Sequence, residues 1–212
     1  MERLQRHGGT AGYVSAFCLL VLLILSFGVP GTGATYADPA RALAQIAGDR
    51  WLWRLSNLAG ILASGLAVVF TIGLWVRLRE PAPTRATVVL YLAIIGLGGY
   101  ALSGFVLWKG GLAMASFLVR DQVAATHAWL ALDFMARGAA DVGNAFVGAA
   151  LLIVGWAIAD TGALSRRMGW LAGLTGIMTL LVIRPFASVV EILQVLLTIV
   201  WLVWAGSELR KA

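Results

Sequence analysis

The sequence predicts an all-α membrane protein: a polytopic helical bundle of six transmembrane helices, with N-terminus and C-terminus both cytoplasmic. Three observations carry this. Hydrophobic residues make up 60% of the 212 positions and charged ones 12%, against roughly a quarter charged in soluble domains. Mean hydropathy is +0.88. Six apolar runs approach the roughly twenty residues needed to cross about 30 Å of hydrocarbon. Such a chain forms a single integral-membrane domain over 1–212. Its net charge of +6 would suggest nucleic acid in a soluble protein, but the basic residues flank apolar runs, the pattern of a membrane surface.

The first span, 11–29, follows a short leader carrying Arg3 and Arg6 and closes at Pro30 and Gly31. A cleaved signal peptide, with Thr35 and Ala37 at the cut, is the rival reading. The run exceeds the usual signal core, which favours a span. Asp38 before Pro39 reads as an N-cap with proline at N1, opening a surface helix over 39–49 with Ala42, Leu43 and Ile46 on its membrane face. Trp51 and Trp53 then fit an interfacial belt.

The second span, 55–76, carries Asn57, Gly60, Ser64, Ala67 and Thr71 in one small-and-polar stripe, which lets helices approach and hydrogen-bond in lipid. A basic turn with Arg77, Arg79 and Arg85 leads to the third span, 88–108, rich in glycine at Gly96, Gly98, Gly99 and Gly104. The long connection after it is too apolar for a free linker and reads as a helix over 113–135 that lies on the surface or enters the fourth span at an angle, with Asp121, His127 and Asp133 as polar points. The fourth span, 138–159, holds Asp141, Asn144, Gly148 and Gly155. The fifth, 168–183, opens with Gly169 and Gly173, a close-packing pair.

The sixth span, 186–205, holds twelve Phe, Val, Ile and Leu residues, each favouring insertion by roughly 0.3–0.6 kcal/mol, against one carboxylate costing about 2.5–3.5. It inserts despite Glu191, which shares a helix face with Gln194. Nine Lys and Arg fall on the side of the termini and seven on the other, consistent with positive-inside. In that orientation the second, fourth and sixth spans all begin at the outer surface. Arg54, Arg137 and Arg184 precede them, and Asn57, Asn144 and Gln194 lie within two or three turns of those starts. The recurrence hints at three helix pairs built alike, with even-numbered helices packing through polar stripes.

These groups form the candidate ligand-binding set: Glu191 and Asp141 as charges, Asn57, Asn144 and Gln194 as orienting amides, and Arg184, Arg137 and Arg54 beside them. Intramembrane ionisable groups are functional candidates because their cost must be met by a partner or water. The plainer reading is a structural network pairing Arg137 with Asp141 and Arg184 with Glu191. No catalytic residues, cofactor or metal are expected. His7 and His127 lie on opposite sides of the membrane, Cys18 is alone, and no metalloprotease, nucleophile-elbow or P-loop motif occurs. Asp121 with His127 makes only a weak acid–base pair.

The segment Leu55-Ser-Asn-Leu-Ala-Gly60 resembles the uncharacterised bacterial membrane family catalogued as domain of unknown function 4386. So does the C-terminal third, Leu164-Ser-Arg-Arg-Met-Gly-Trp-Leu-Ala-Gly173 through Pro185, Glu191 and Trp201-Leu-Val-Trp204. The resemblance covers most of the chain from about residue 50, through short apolar motifs. It implies a compact six-span bundle in a bacterial cytoplasmic (inner) membrane, and it carries no catalytic roles. The expected function is a non-enzymatic membrane protein whose outward-facing polar pocket binds a small polar or ionic ligand, for transport or sensing. An accessory subunit of a larger membrane complex is the alternative, and an intramembrane enzyme the third reading. Expected partners are membrane lipids, with a homo-oligomer or a larger complex open, and no nucleic acid.

Overall fold

The computed structural model describes residues 1–28, 38–183 and 188–211. Among them are seven helices: α1 (Glu2–Gly28), α2 (Pro39–Gly48), α3 (Arg50–Leu78), α4 (Pro83–Phe117), α5 (Gln122–Thr161), α6 (Arg166–Leu181) and α7 (Ser188–Lys211). Pro30, Gly31, Thr35, Ala37, Arg184, Pro185 and Phe186 lie outside the described residues. Five helices (α1, α3, α4, α5 and α7) are long and apolar enough to cross a membrane. The chain is a helical membrane bundle. The expected fifth span corresponds to α6, whose 16 residues extend about 24 Å, short of the full hydrocarbon thickness.

Polar side chains set the helix boundaries. Asp38 accepts from the Arg41 N–H at 2.9 Å, with Pro39 at the first helical position. Asp49 caps α3 through Leu52, and Asp121 caps α5 through Ala124. Each satisfies one amide that a helix start leaves without a partner. Gly162 ends α5 at φ 66°, a left-handed conformation that glycine adopts without steric cost.

The six long helices run alternately up and down and close into a ring in the order α1, α3, α4, α5, α6, α7 and back to α1. Both termini therefore lie at one end of the bundle. Several seams close on glycine backbones. A Cβ on Gly73 would lie 2.8 Å from the Gly8 Cα, joining α3 to α1, and one on Gly9 would lie 2.6 Å from the Gly206 carbonyl, joining α1 to α7. Between α5 and α6 the same holds for Gly155 against Gly169, at 2.6 Å. Lipid tails are as apolar as leucine, so helices in a bilayer gain little by hiding apolar surface from one another. Close backbone approach supplies dispersion contacts instead.

Two expectations are corrected here. The even-numbered spans α3, α5 and α7 do not pack on one another as a group; α4, α6 and α1 alternate with them around the ring. Nor is 113–135 a separate surface helix. It is the end of α4, a turn, and the start of α5, each continuous with its span. At 35 and 40 residues these helices reach about 52 and 60 Å, beyond the roughly 40–45 Å of a whole bilayer.

The overhang has its own core of Leu43, Ile46, Trp53, Ala115, Ala125 and Trp129. The apolar face of α2 thus packs on the α4–α5 hairpin rather than on the membrane. Trp53 is likewise buried rather than interfacial: its indole donates to the Leu107 carbonyl at 3.1 Å and meets Trp129 edge-on. Trp51, by contrast, is exposed. A short sequence window cannot tell a helix lying on lipid from one lying on another helix, since both show one apolar face.

Gly155→Leu should lower the unfolding temperature in detergent, with a cost of about 1–3 kcal/mol from overpacking. Gly98→Leu faces open space and should leave it unchanged. Trp129→Ala should cost about 3–5 kcal/mol, with faster amide exchange confined to the overhang.

Candidate functional site

A ring of six helices whose seams close on glycine leaves space at its centre. A cavity of about 350 Å³ occupies it, with walls from α1, α3, α4, α5 and α7. This lies within the usual 300–1,000 Å³ range of small-molecule sites. Along α3 the wall runs from Ser56 to Leu74, about 27 Å of helix. So modest a volume over that length makes a slender slot parallel to the helices.

The slot has two unlike halves. Towards the end away from the termini Ser56, Asn57, Ser64, Ser103, Tyr100, Asn144, Gln194, Thr198 and Ser15 are interspersed with Leu19, Leu22, Leu107 and Val195. Towards the termini it is lined by Phe70, Leu74, Val89, Ala93, Val154, Trp201 and Leu202, with Thr71 as a polar exception. The three amides come one each from the second helix of the hairpins α1/α3, α4/α5 and α6/α7. Asn57, Gly60, Ser64, Ala67 and Thr71, expected to serve helix packing, instead line the slot as one stripe.

Most polar groups of the wall are half used. Asn57 donates to the Trp53 carbonyl at 2.8 Å, Ser64 to Gly60 and Thr71 to Ala67, so each satisfies its donor one turn back on its own helix. The Tyr100 hydroxyl donates to the Asn144 side-chain oxygen at 2.6 Å. Gln194 donates to the hydroxyls of Thr179 and Thr198, both at 3.3 Å. Ser15 crosses the α1–α3 seam to the Ala63 carbonyl at 2.9 Å.

That leaves the Asn57 and Gln194 side-chain oxygens, the Asn144 amide N–H groups and the hydroxyls of Ser56 and Ser103 without partners among the described residues. They line the same half of the slot. Together they offer both donors and acceptors, with no formal charge. Such a wall can hold an alcohol, carbonyl, amide or ester oxygen. It has nothing to neutralise a bare ion, which would be costly to desolvate at this depth.

The charged members of the expected set lie elsewhere. Asp141 and Glu191 are exposed and do not line the slot, which corrects their assignment as its charges. Each precedes its amide, Asn144 or Gln194, by three residues, a rotation of roughly 60° about the helix. Arg137 pairs with Asp133 at 2.8 Å, and Arg54 is exposed. Arg184 lies outside the described residues. Asp121 is a helix cap and His127 is exposed, so nothing joins them as an acid–base pair. Among the described residues no group of three or more His, Cys, Asp or Glu is placed to hold a metal.

Sequence reasoning missed Tyr100, Ser103, Ser15 and Thr198. Tyr100 carried a usable signal, being a hydroxyl-bearing aromatic inside a glycine-rich span where it must find a partner. The Tyr100–Asn144 bond fixes the amide. A double-mutant cycle on Tyr100→Phe and Asn144→Ala, read by thermal unfolding, should return a coupling of about 0.5–1.5 kcal/mol. No family model, curated protein or solved structure matches this chain.

Proposed function

We propose that the protein is a non-enzymatic binding or transport protein for a neutral amphipathic molecule with a slender apolar tail, such as a single acyl or isoprenoid chain ending in an uncharged oxygen-bearing head. One observation carries the reading: a slot about 27 Å long whose polar groups are all uncharged and, Thr71 apart, lie towards one end. The apolar half would take the tail. Asn57, Asn144, Gln194 and Ser103 would hydrogen-bond the head. This keeps the expected pocket and its amides, and replaces an ionic ligand by a neutral one.

In this reading α6 also crosses the membrane, as the fifth of six spans, and the end holding both termini is cytoplasmic in a bacterial inner membrane. Support comes from the nine basic residues Arg3, Arg6, Arg77, Arg79, Arg85, Arg166, Arg167, Arg210 and Lys211, all at that end. The slot's polar half then lies towards the outside, where a head group enters. Membership of the family catalogued as domain of unknown function 4386 belongs to the same proposal and rests on the motifs given above. An accessory subunit is the second reading, favoured by Val119, Val123, Phe134 and Met135, all exposed on the overhang.

The test is native mass spectrometry on protein gently extracted from its membrane, with lipid extracts of the bound material. A single species of neutral amphipath at one per chain is expected. Ala93→Phe, which fills the slot, should remove it, and Asn144→Leu with Gln194→Leu should lower occupancy about tenfold or more. Glu191→Gln should change nothing. An empty slot together with a stoichiometric protein partner would overturn the binding reading and favour the accessory one.

A further inference from the structure

A second concavity, of about 290 Å³, lies at the end of the bundle that holds both termini. Its lining is Arg3, Arg6, His7, Thr10 and Arg210. The two ends of the chain are brought together there by backbone contact. The Gly9–Gly206 approach leaves α1 and α7 so close that a Cβ on Gly9 would lie 2.7 Å from the Arg210 Cγ. Gly8 against Gly73 adds α3 to the same junction. The Arg210 guanidinium lies 5.7 Å over the Tyr13 ring, which orients it beside the concavity, and Thr10 offers a hydroxyl oxygen that already donates to the Arg6 carbonyl.

The charge is not cancelled locally. Among the described residues none of the three arginines has a carboxylate within ion-pair distance. The nearby Glu208 is engaged by Lys211 at 2.8 Å. Of the other basic side chains at this end, Arg85 is paired with Asp160 and stacked on Trp156, Arg77 donates to the Ala163 carbonyl, and Arg79 lies over Trp75. A general preference for basic residues at a membrane surface accounts for a positive face. It does not account for three guanidinium groups from opposite ends of the chain meeting around one hollow.

We propose that this hollow is a binding site for a phosphate-type anion, and that its occupant is the head group of an anionic phospholipid. The planar guanidinium groups of Arg3, Arg6 and Arg210 suit phosphate oxygens through paired N–H donors, with the Thr10 hydroxyl and His7 at the rim. Position selects the lipid source. The apolar run of α1 begins at Ala11, directly below Thr10, so the hollow lies where head groups lie, and basic pockets between helices hold anionic head groups there. The proposal is independent of the central slot, whose ligand is neutral and enters by the opposite half.

The experiment uses the full-length protein in neutral detergent, with thermal unfolding followed during titration. Short-chain phosphatidylglycerol, phosphatidylcholine of the same chain length and inorganic phosphate are the three probes. Phosphatidylglycerol should raise the unfolding temperature saturably and phosphatidylcholine should not. Replacing Arg3, Arg6 and Arg210 by glutamine should raise the half-saturating phosphatidylglycerol concentration about tenfold or more. A control of equal charge loss, Arg79, Arg166 and Arg167 to glutamine, should stay within about twofold. The single Arg6→Gln variant, altering only an exposed side chain, gives a smaller shift of the same sign if the triple variant folds poorly. Stabilisation by inorganic phosphate with the same dependence on the three arginines would keep the anion site and assign it to soluble phosphate. Equal weakening in both triple variants, or in neither, would overturn the proposal.

Discussion

Backbone contact at glycine is the constraint on which this structure rests. Inside a bilayer the usual reason for helices to associate is missing, because apolar side chains gain little by leaving lipid for one another. Gly8 on Gly73, Gly9 on Gly206, and Gly155 on Gly169 bring neighbouring axes close enough for main-chain atoms to touch. Around a ring of six, tight seams of this kind leave a hole at the centre. The slot is therefore a consequence of how the helices are joined, and the residues facing it must be chosen for it. Polar side chains there stay uncharged and satisfy most of their donors on their own or neighbouring helices.

The same principle separates the two sites. Towards one end the slot presents uncharged amides and hydroxyls, which suit a neutral oxygen and offer no counter-charge to an ion. At the opposite end, in the head-group layer, arginines from α1 and α7 can remain ionised at little cost. Glu191 and Asp141 obey this division too. As exposed groups on the outer surface of helices near the far end, they are free to reach water by snorkelling, and the interior is spared their desolvation.

How much of this was legible in the sequence depended on which physical signal each feature leaves. The stripe from Asn57 to Thr71 follows from helical periodicity, so it was readable, as was the recurrence of one amide in each second helix; the full lengths of α4 and α5 were not, because hydropathy marks an apolar stretch and not where its helix ends. The placement of Asp141 and Glu191 was not, because a three-residue spacing marks neighbours on a helix yet leaves roughly 60° of rotation, and only the tertiary structure says which of the two neighbours faces the slot. Trp53, Leu43 and Ile46 were misplaced for a different reason. An apolar face declares that something covers it, and only tertiary structure says whether lipid or the overhanging α4–α5 hairpin does. Tyr100 escaped because its partner, Asn144, lies on another helix.

The central claim is most directly tested by an electron cryomicroscopy map of the protein in lipid nanodiscs prepared without detergent exchange. The account expects a continuous, elongated, non-protein density inside the ring, its blunt end within hydrogen-bond distance of Asn57, Asn144 and Gln194 and its thin end beside Phe70 and Trp201. A ring collapsed onto itself with no central space, or a slot holding only water, would contradict it.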